Sequence, residues 1–183
     1  MSPVLLFASL DTADGAQPQV DFVYARCAVG ASSTCSLAGL DRQPLVASSR
    51  ASGLCLGKLA GTTDTTHGYV AINTPTNQCF ATAAQTMTIS LEGAAITLRD
   101  ARIGAQYGTT GLGTGLIRGF VTEADAANTF LPLPGFGDIP LASLLPGGRD
   151  SCASYSDKDT NGQGEPGWWF YLNFSATKTS YTN

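Results

Sequence analysis

Apolar side chains recur at every second position over several stretches of this chain, the spacing that puts alternate residues of a strand on one face. Met87, Ile89 and Leu91 alternate with Thr86, Thr88, Ser90 and Glu92, which predicts a half-buried strand broken at Gly93. Ile96 and Leu98 resume the pattern against Thr97 and Arg99. Ala101, Ile103, Ala105 and Tyr107 continue it after a bulge predicted at Asp100. Upstream, residues 4–10 and 19–27 read as a strand pair joined through Asp14-Gly15, a dipeptide that tolerates the positive φ of a tight turn. Residues 28–66 are crowded with Ser, Gly and Thr and predict short strands around 37–40 and 54–59 between long loops. Tyr69-Val70-Ala71-Ile72 reads as a strand ended by a turn at 73–77.

The period changes after Leu116-Ile117-Arg118-Gly119-Phe120-Val121. Thr122, three residues before Asp125, has the form of a helix N-cap, and Glu123 and Asp125 place acids in the first turn. A second helical turn is expected at 141–145, stopped by Pro146-Gly147-Gly148. The clearest strand, 167–177, comes near the end of the chain. Many short strands with turn signals between them and one or two short helices predict an all-β fold, β-sandwich or jelly-roll-like. No internal repeat or composition shift divides the chain, so residues 1–183 read as one β domain.

Composition sharpens this picture. Only 13% of residues are charged, and Gly, Ser, Thr, Ala and Asn fill most remaining polar or small positions, which favours turns and extended chain over surface helices. The net charge of −4 comes without a basic run, so nucleic acid is not an expected partner. No stretch approaches the roughly 18 apolar residues of a membrane-spanning helix. Val4-Leu5-Leu6-Phe7-Ala8 lacks the basic flank and length of a signal peptide and reads as the first strand. The five cysteines, Cys27, Cys35, Cys55, Cys79 and Cys152, form no CxxC pair, and the single histidine, His67, leaves no zinc pattern. Disulfides account for them better than metal, with one thiol left over. Their connectivity is not fixed by the sequence, although Cys27 and Cys35 are placed to close a hairpin across residues 29–33. A reduced protein with buried thiols is the alternative.

Candidate chemistry concentrates between Asp157 and Ser175. In Asp157-Lys158-Asp159-Thr160-Asn161-Gly162-Gln163-Gly164-Glu165, oxygen side chains at alternate positions precede a glycine that permits a sharp bend, as a loop wrapping Ca2+ requires. Asp157, Asp159 and Asn161, with the Gln163 carbonyl and Glu165, form the candidate metal set. The match to an EF-hand fails at the twelfth position, where Trp168 replaces the bidentate glutamate. A solvated acidic turn explains the same residues through backbone preference alone.

In the strand that follows, Trp168, Phe170, Leu172 and Phe174 share one face, expected to be core, and Trp169, Tyr171, Asn173 and Ser175 share the other. If it faces solvent, the second face offers rings and an amide to a sugar, so Trp169, Tyr171 and Asn173 are the candidate ligand-binding set. If it does not, Trp169 and Tyr171 pack under a neighbouring loop with their polar tips at the surface. Asn173-Phe174-Ser175 fits a glycosylation sequon, but a strand is a poor acceptor.

No catalytic residue is assigned. A nucleophile elbow is missing from the sequence, a triad would have to use Asp64 and His67, and paired-carboxylate chemistry would have to draw on acids such as Glu92 or Glu123. The glycine-spaced run at 111–115 is followed by neither a lysine nor a helix and reads as a turn rather than a phosphate loop.

The second half of the chain resembles a group of uncharacterised exported proteins, many of them predicted lipoproteins, from myxobacteria and their relatives. The likeness is carried by Gly115-Leu116-Ile117-Arg118-Gly119-Phe120, Thr122-Glu123-Ala124-Asp125-Ala126, Leu144-Leu145-Pro146-Gly147-Gly148, Cys152, and the acidic loop leading into Gly167-Trp168-Trp169-Phe170-Tyr171-Leu172-Asn173-Phe174. The resemblance implies an extracellular or envelope location and tethering through a lipidated cysteine upstream. It implies no activity, and this chain carries no lipobox of its own.

The expected function is therefore a non-enzymatic secreted or envelope-tethered binding domain, with Ca2+ as a candidate cofactor and a glycan or another envelope protein as candidate partner. A secreted hydrolase using carboxylate or calcium-assisted chemistry is one alternative, and a structural or assembly subunit of the envelope is another.

Overall fold

The computed structural model describes residues 2–28, 34–63, 68–91 and 93–182. The pair Asp64 and His67, the candidate Glu92 and the loop 29–33 lie outside the described residues. The described chain is mostly strand, with two short helices. In order, the elements are β1 (Ser2–Phe7), β2 (Gln19–Cys27), β3 (Thr34–Ser36), β4 (Gln43–Arg50), β5 (Gly53–Leu56), β6 (Ile72–Thr74), β7 (Cys79–Thr82), β8 (Gln85–Leu91), β9 (Ala94–Tyr107) and β10 (Gly111–Thr122). Then come α1 (Glu123–Asn128), β11 (Phe130–Leu133), β12 (Gly137–Pro140), α2 (Leu141–Leu144), β13 (Asp159–Thr160), β14 (Pro166–Thr177) and β15 (Ser180–Thr182).

Eleven strands form one mixed sheet in the order β13-β14-β10-β9-β7-β4-β2-β3-β15, with β1 added to β2 and β8 to β9. Pairing is antiparallel except between β15 and β3. Two small hairpins, β5–β6 and β11–β12, stand off the sheet.

The strand pair expected near the start forms, with β1 against β2 and Gly15 at φ +77° in the turn. The bulge expected at Asp100 is also present: its φ is +50°, and the registers of β9 with both β8 and β10 shift there. That extra residue keeps Ile96 and Leu98 on the same buried face as Ala101 and Ile103. Both helical turns form as expected. Thr122 Oγ1 accepts from the Asp125 N–H at 3.0 Å and caps α1.

Other expectations shift. The strand read at 69–72 begins only at Ile72, and the one read at 37–40 lies at Thr34–Ser36. Gln43–Arg50 and Cys79–Thr82 are strands that the alternation did not reveal. The inward residues of β4 are Leu45, Ala47 and Ser49; the outward Val46 beside Leu45 and the small size of Ala47 and Ser49 blur their alternation. The expected turn at 111–115 is the start of β10.

The gap between β4 and β8 has a local cause. Pro44 faces the same flank as Val46, whose carbonyl accepts from Ala83 N–H, but Pro44 has no N–H to continue the ladder. Side chains bridge the opening instead. The Gln43 amide donates to Thr88 O and accepts from Thr88 N–H, while Gln85 Nε2 donates to Pro44 O.

Apolar clusters cover both faces of the sheet. The larger joins Phe22, Leu45, Phe80, Leu98, Ile103 and Trp168 to Ala126, Leu131, Leu141 and Leu145 of the α1–α2 region. The second joins Leu116, Phe120, Trp169 and Tyr171 to Leu56, Ile72, Leu59 and Tyr69 of the segment around β5–β6. Gly104 makes that second layer possible: a Cβ there would lie 2.8 Å from Leu56 Cβ and 3.1 Å from Phe80 O. A third, smaller cluster unites Val23, Ala25, Cys35 and Leu37.

Two disulfides staple the fold. Cys27–Cys35 joins β2 to β3, the pairing suggested by the sequence, and Cys55–Cys79 pins β5 to β7. Cys152 is free and exposed. Two bridges point to an oxidising, extracytoplasmic environment. No helix of the described residues is long and apolar enough to cross a membrane.

Candidate functional site

The acidic loop is the tight connection between β13 and β14, and Asn161 organises it. Its Oδ1 accepts from the N–H groups of Gln163 (3.0 Å) and Glu165 (2.9 Å), and its Nδ2 donates to Glu165 Oε2 at 2.8 Å. Gly164, at φ +80°, donates its N–H to Asn161 O. This is the turn chemistry that Asn and Gly supply for backbone reasons. Asp159 Oδ2 accepts from Thr63 N–H at 2.7 Å, so it ties the loop to the segment after β5. Asp157, as buried as Asn161, differs from both in that its Oδ2 is buried without a hydrogen-bond donor. Lys158 turns away to Glu123 Oε1 at 2.6 Å and lies over the Trp168 ring.

Among the described residues, no three His, Cys, Asp or Glu side chains are grouped as a metal would need. A calcium ion at this loop would compete with protein N–H donors for the oxygens of Asp159 and Asn161, and only Asp157 of these three has a buried oxygen without a donor.

The aromatic strand divides its residues between two faces as its alternation requires, but Trp168, Trp169 and Tyr171 are covered, and on the second face Asn173 and Ser175 are exposed. Trp168 is wholly buried, with Nε1 donating to Pro146 O at 2.9 Å. Trp169 is 4% exposed and meets the Phe120 ring at 5.1 Å, and its Nε1 is buried without an acceptor. Tyr171 is 2% exposed, stacks on Tyr69 at 4.7 Å, accepts from Leu59 N–H and shares a hydrogen bond with Thr62 Oγ1. The Asn173 amide imitates a strand partner, accepting from Val70 N–H (2.6 Å) and donating to Val70 O and Gly115 O. Packing under a neighbouring segment, rather than an outward platform, describes Trp169 and Tyr171. The polar tip of Tyr171 holds that segment down, and the Trp169 tip is buried.

Other residues make an accessible hollow. A groove of about 510 Å3 is lined by Gln85, Thr86, Arg99, Asp100, Gln163 and Glu165. Thus two members of the candidate metal set, Gln163 and Glu165, form a wall of it. The Asp100 bulge forms another, in a left-handed conformation that a non-glycine residue seldom adopts. Arg99 is fixed by its Nε bond to Asp125 Oδ2 at 3.1 Å. That bond, then the charge of Asp125, raises the guanidinium pKa above its ordinary value. All six lining side chains are polar, so the groove offers amides, carboxylates, a hydroxyl and one cation to a ligand rich in hydrogen-bonding groups.

Arg99, Asp100 and Gln85 were not legible as a site, because β8, β9 and the β13–β14 turn meet there only in the fold. The bulge was legible; that it lines a groove was not. Arg118 was also passed over; its signal was a charge inside the apolar run 116–121. Compared with protein-family models, with curated proteins and with solved structures, the chain matches none.

Proposed function

We propose that the protein is a secreted or envelope-tethered, non-enzymatic binding domain that holds a polyhydroxylated ligand, a glycan by class, in the groove between the Asp100 bulge and the Gln163–Glu165 turn. The observation carrying this reading is the set of six polar residues that line that groove, with Arg99 pre-positioned by Asp125. Planar amides and carboxylates pair with adjacent sugar hydroxyls, and fixed side chains lose little entropy on binding. The architecture that fits is a β-sandwich, with the long sheet as one layer and the small hairpins as incomplete second layers. The disulfides support an extracytoplasmic setting. Ca2+ has an accessory place in this reading through the unpaired oxygen of Asp157.

The test is a glycan array probed with the intact protein, with Ca2+ and with a chelator, followed by calorimetry on the best ligand. We expect a selective signal that Gln163→Ala weakens at least about tenfold, the worth of roughly one or two hydrogen bonds to charged or buried groups. An array without signal in either condition, or an unchanged affinity in Gln163→Ala, sinks the reading. A chelator-insensitive signal removes calcium from it.

A further inference from the structure

We propose a second site, independent of the groove above: the face of the sheet carrying Arg102 and Arg118 is a seat for an oxyanion, that is, a carboxylate, sulfate or phosphate group. Arg102 on β9 and Arg118 on β10 stand directly opposite one another in register. Like charges at such a cross-strand position oppose sheet formation. Arg118 is only 8% exposed, its Nη1 donates to Gly57 O at 2.7 Å, and its Nε is buried without an acceptor. Neither arginine forms an ion pair among the described residues, whereas Arg99 and Lys158 are paired with Asp125 and Glu123. Burial, then the neighbouring Arg102 charge, lowers the Arg118 pKa; the attraction of Asp100 is smaller than either.

A buried, under-paired cation is costly to a fold unless something neutralises it. Its cross-strand neighbour Arg102 is the more accessible of the two. Arg102 opens on a hollow of about 230 Å3 whose polar lining is Arg50, Ser48, Thr82 and Gln17, the rest being Val46, Cys55 and alanines. Arg50 is held at its place by an Nη1 bond to Leu54 O. Two arginines at one hollow, with the Ser48 hydroxyl and the Gln17 amide, match the paired oxygens of an oxyanion, which guanidinium forks bind bidentately. The ligand group also supplies the negative charge that the Arg102–Arg118 pair lacks.

The experiment is thermal unfolding and calorimetric titration of the intact protein with sodium phosphate, sodium sulfate and sodium acetate, against sodium chloride at matched ionic strength. At least one oxyanion is expected to raise Tm by several degrees above the chloride control, and the three salts distinguish the group preferred. Arg102→Gln should weaken that binding at least about tenfold, the loss of a charge-assisted pair. In chloride alone it should unfold no earlier than the parent, because the like-charge contact is gone. Equal behaviour in all salts overturns the proposal, as does an Arg102→Gln variant that keeps the parent's affinity. If Arg102→Gln does not fold, the exposed Arg50→Gln takes its place, and unchanged affinity there refutes the site equally.

Discussion

Removing the Cys55–Cys79 bridge tests how the second layer is held on the sheet. The two residues are 24 apart in sequence, and the bridge fixes β5 where Leu56 packs on Gly104. In the chain-entropy description, freeing a loop of that length costs about 3.5 kcal/mol at 25 °C, against about 2.6 kcal/mol for the Cys27–Cys35 loop, whose separation is 8. Cys55→Ala/Cys79→Ala should therefore lose about 1 kcal/mol more than Cys27→Ala/Cys35→Ala. For a chain of this size, the larger loss corresponds to a fall in Tm of about 10 °C. Urea unfolding followed by the fluorescence of Trp168 and Trp169, both buried, reads the difference, with m-values compared to establish that each variant unfolds from the same compact state. Hydrogen exchange adds the local signature: the amides of Leu59 and Val70, bonded to Tyr171 and Asn173, should lose protection in the first variant and keep it in the second. A loss below about 1 kcal/mol for Cys55→Ala/Cys79→Ala would mean that apolar contacts and the Tyr171 and Asn173 bonds hold the layer without the bridge.

Two further substitutions probe the same architecture. Gly104→Ala should destabilise by about 1–3 kcal/mol in urea titrations, because its Cβ would meet Leu56 and a backbone carbonyl at once. A neutral result would show that β5 can move outward freely. Thr122→Ala should cost about 1 kcal/mol through loss of the cap on α1, measured the same way, and a loss indistinguishable from zero would assign the helix to packing of Ala126 alone.

The local devices of this fold were readable one residue at a time. Alternation at 86–91, the bulge at Asp100, the Thr122 cap and the stop at Pro146 each depend on steric and hydrogen-bonding preferences that act within a few residues. The two-faced pattern of 168–174 is equally local, since successive side chains of any strand point to opposite sides. What lies against each face is a different question. An amphipathic aromatic such as Trp169 or Tyr171 suits solvent, a sugar or a covering chain, and its neighbours in sequence do not choose among them.

That choice belongs to tertiary structure. Cys55–Cys79, Gly104 and the hydrogen bonds of Tyr171 and Asn173 bring a Gly- and Thr-rich segment, weak in periodicity, down over the second face. The same long-range pairing sets Arg102 opposite Arg118 and joins Asp100 to the Gln163–Glu165 turn across one groove. The sequence by itself thus determined a mostly β chain, its turns, caps and bulge, and the separation of faces along each strand. Register between distant strands determined which faces are covered and which polar groups meet, because those contacts join residues whose spacing along the chain carries no signal.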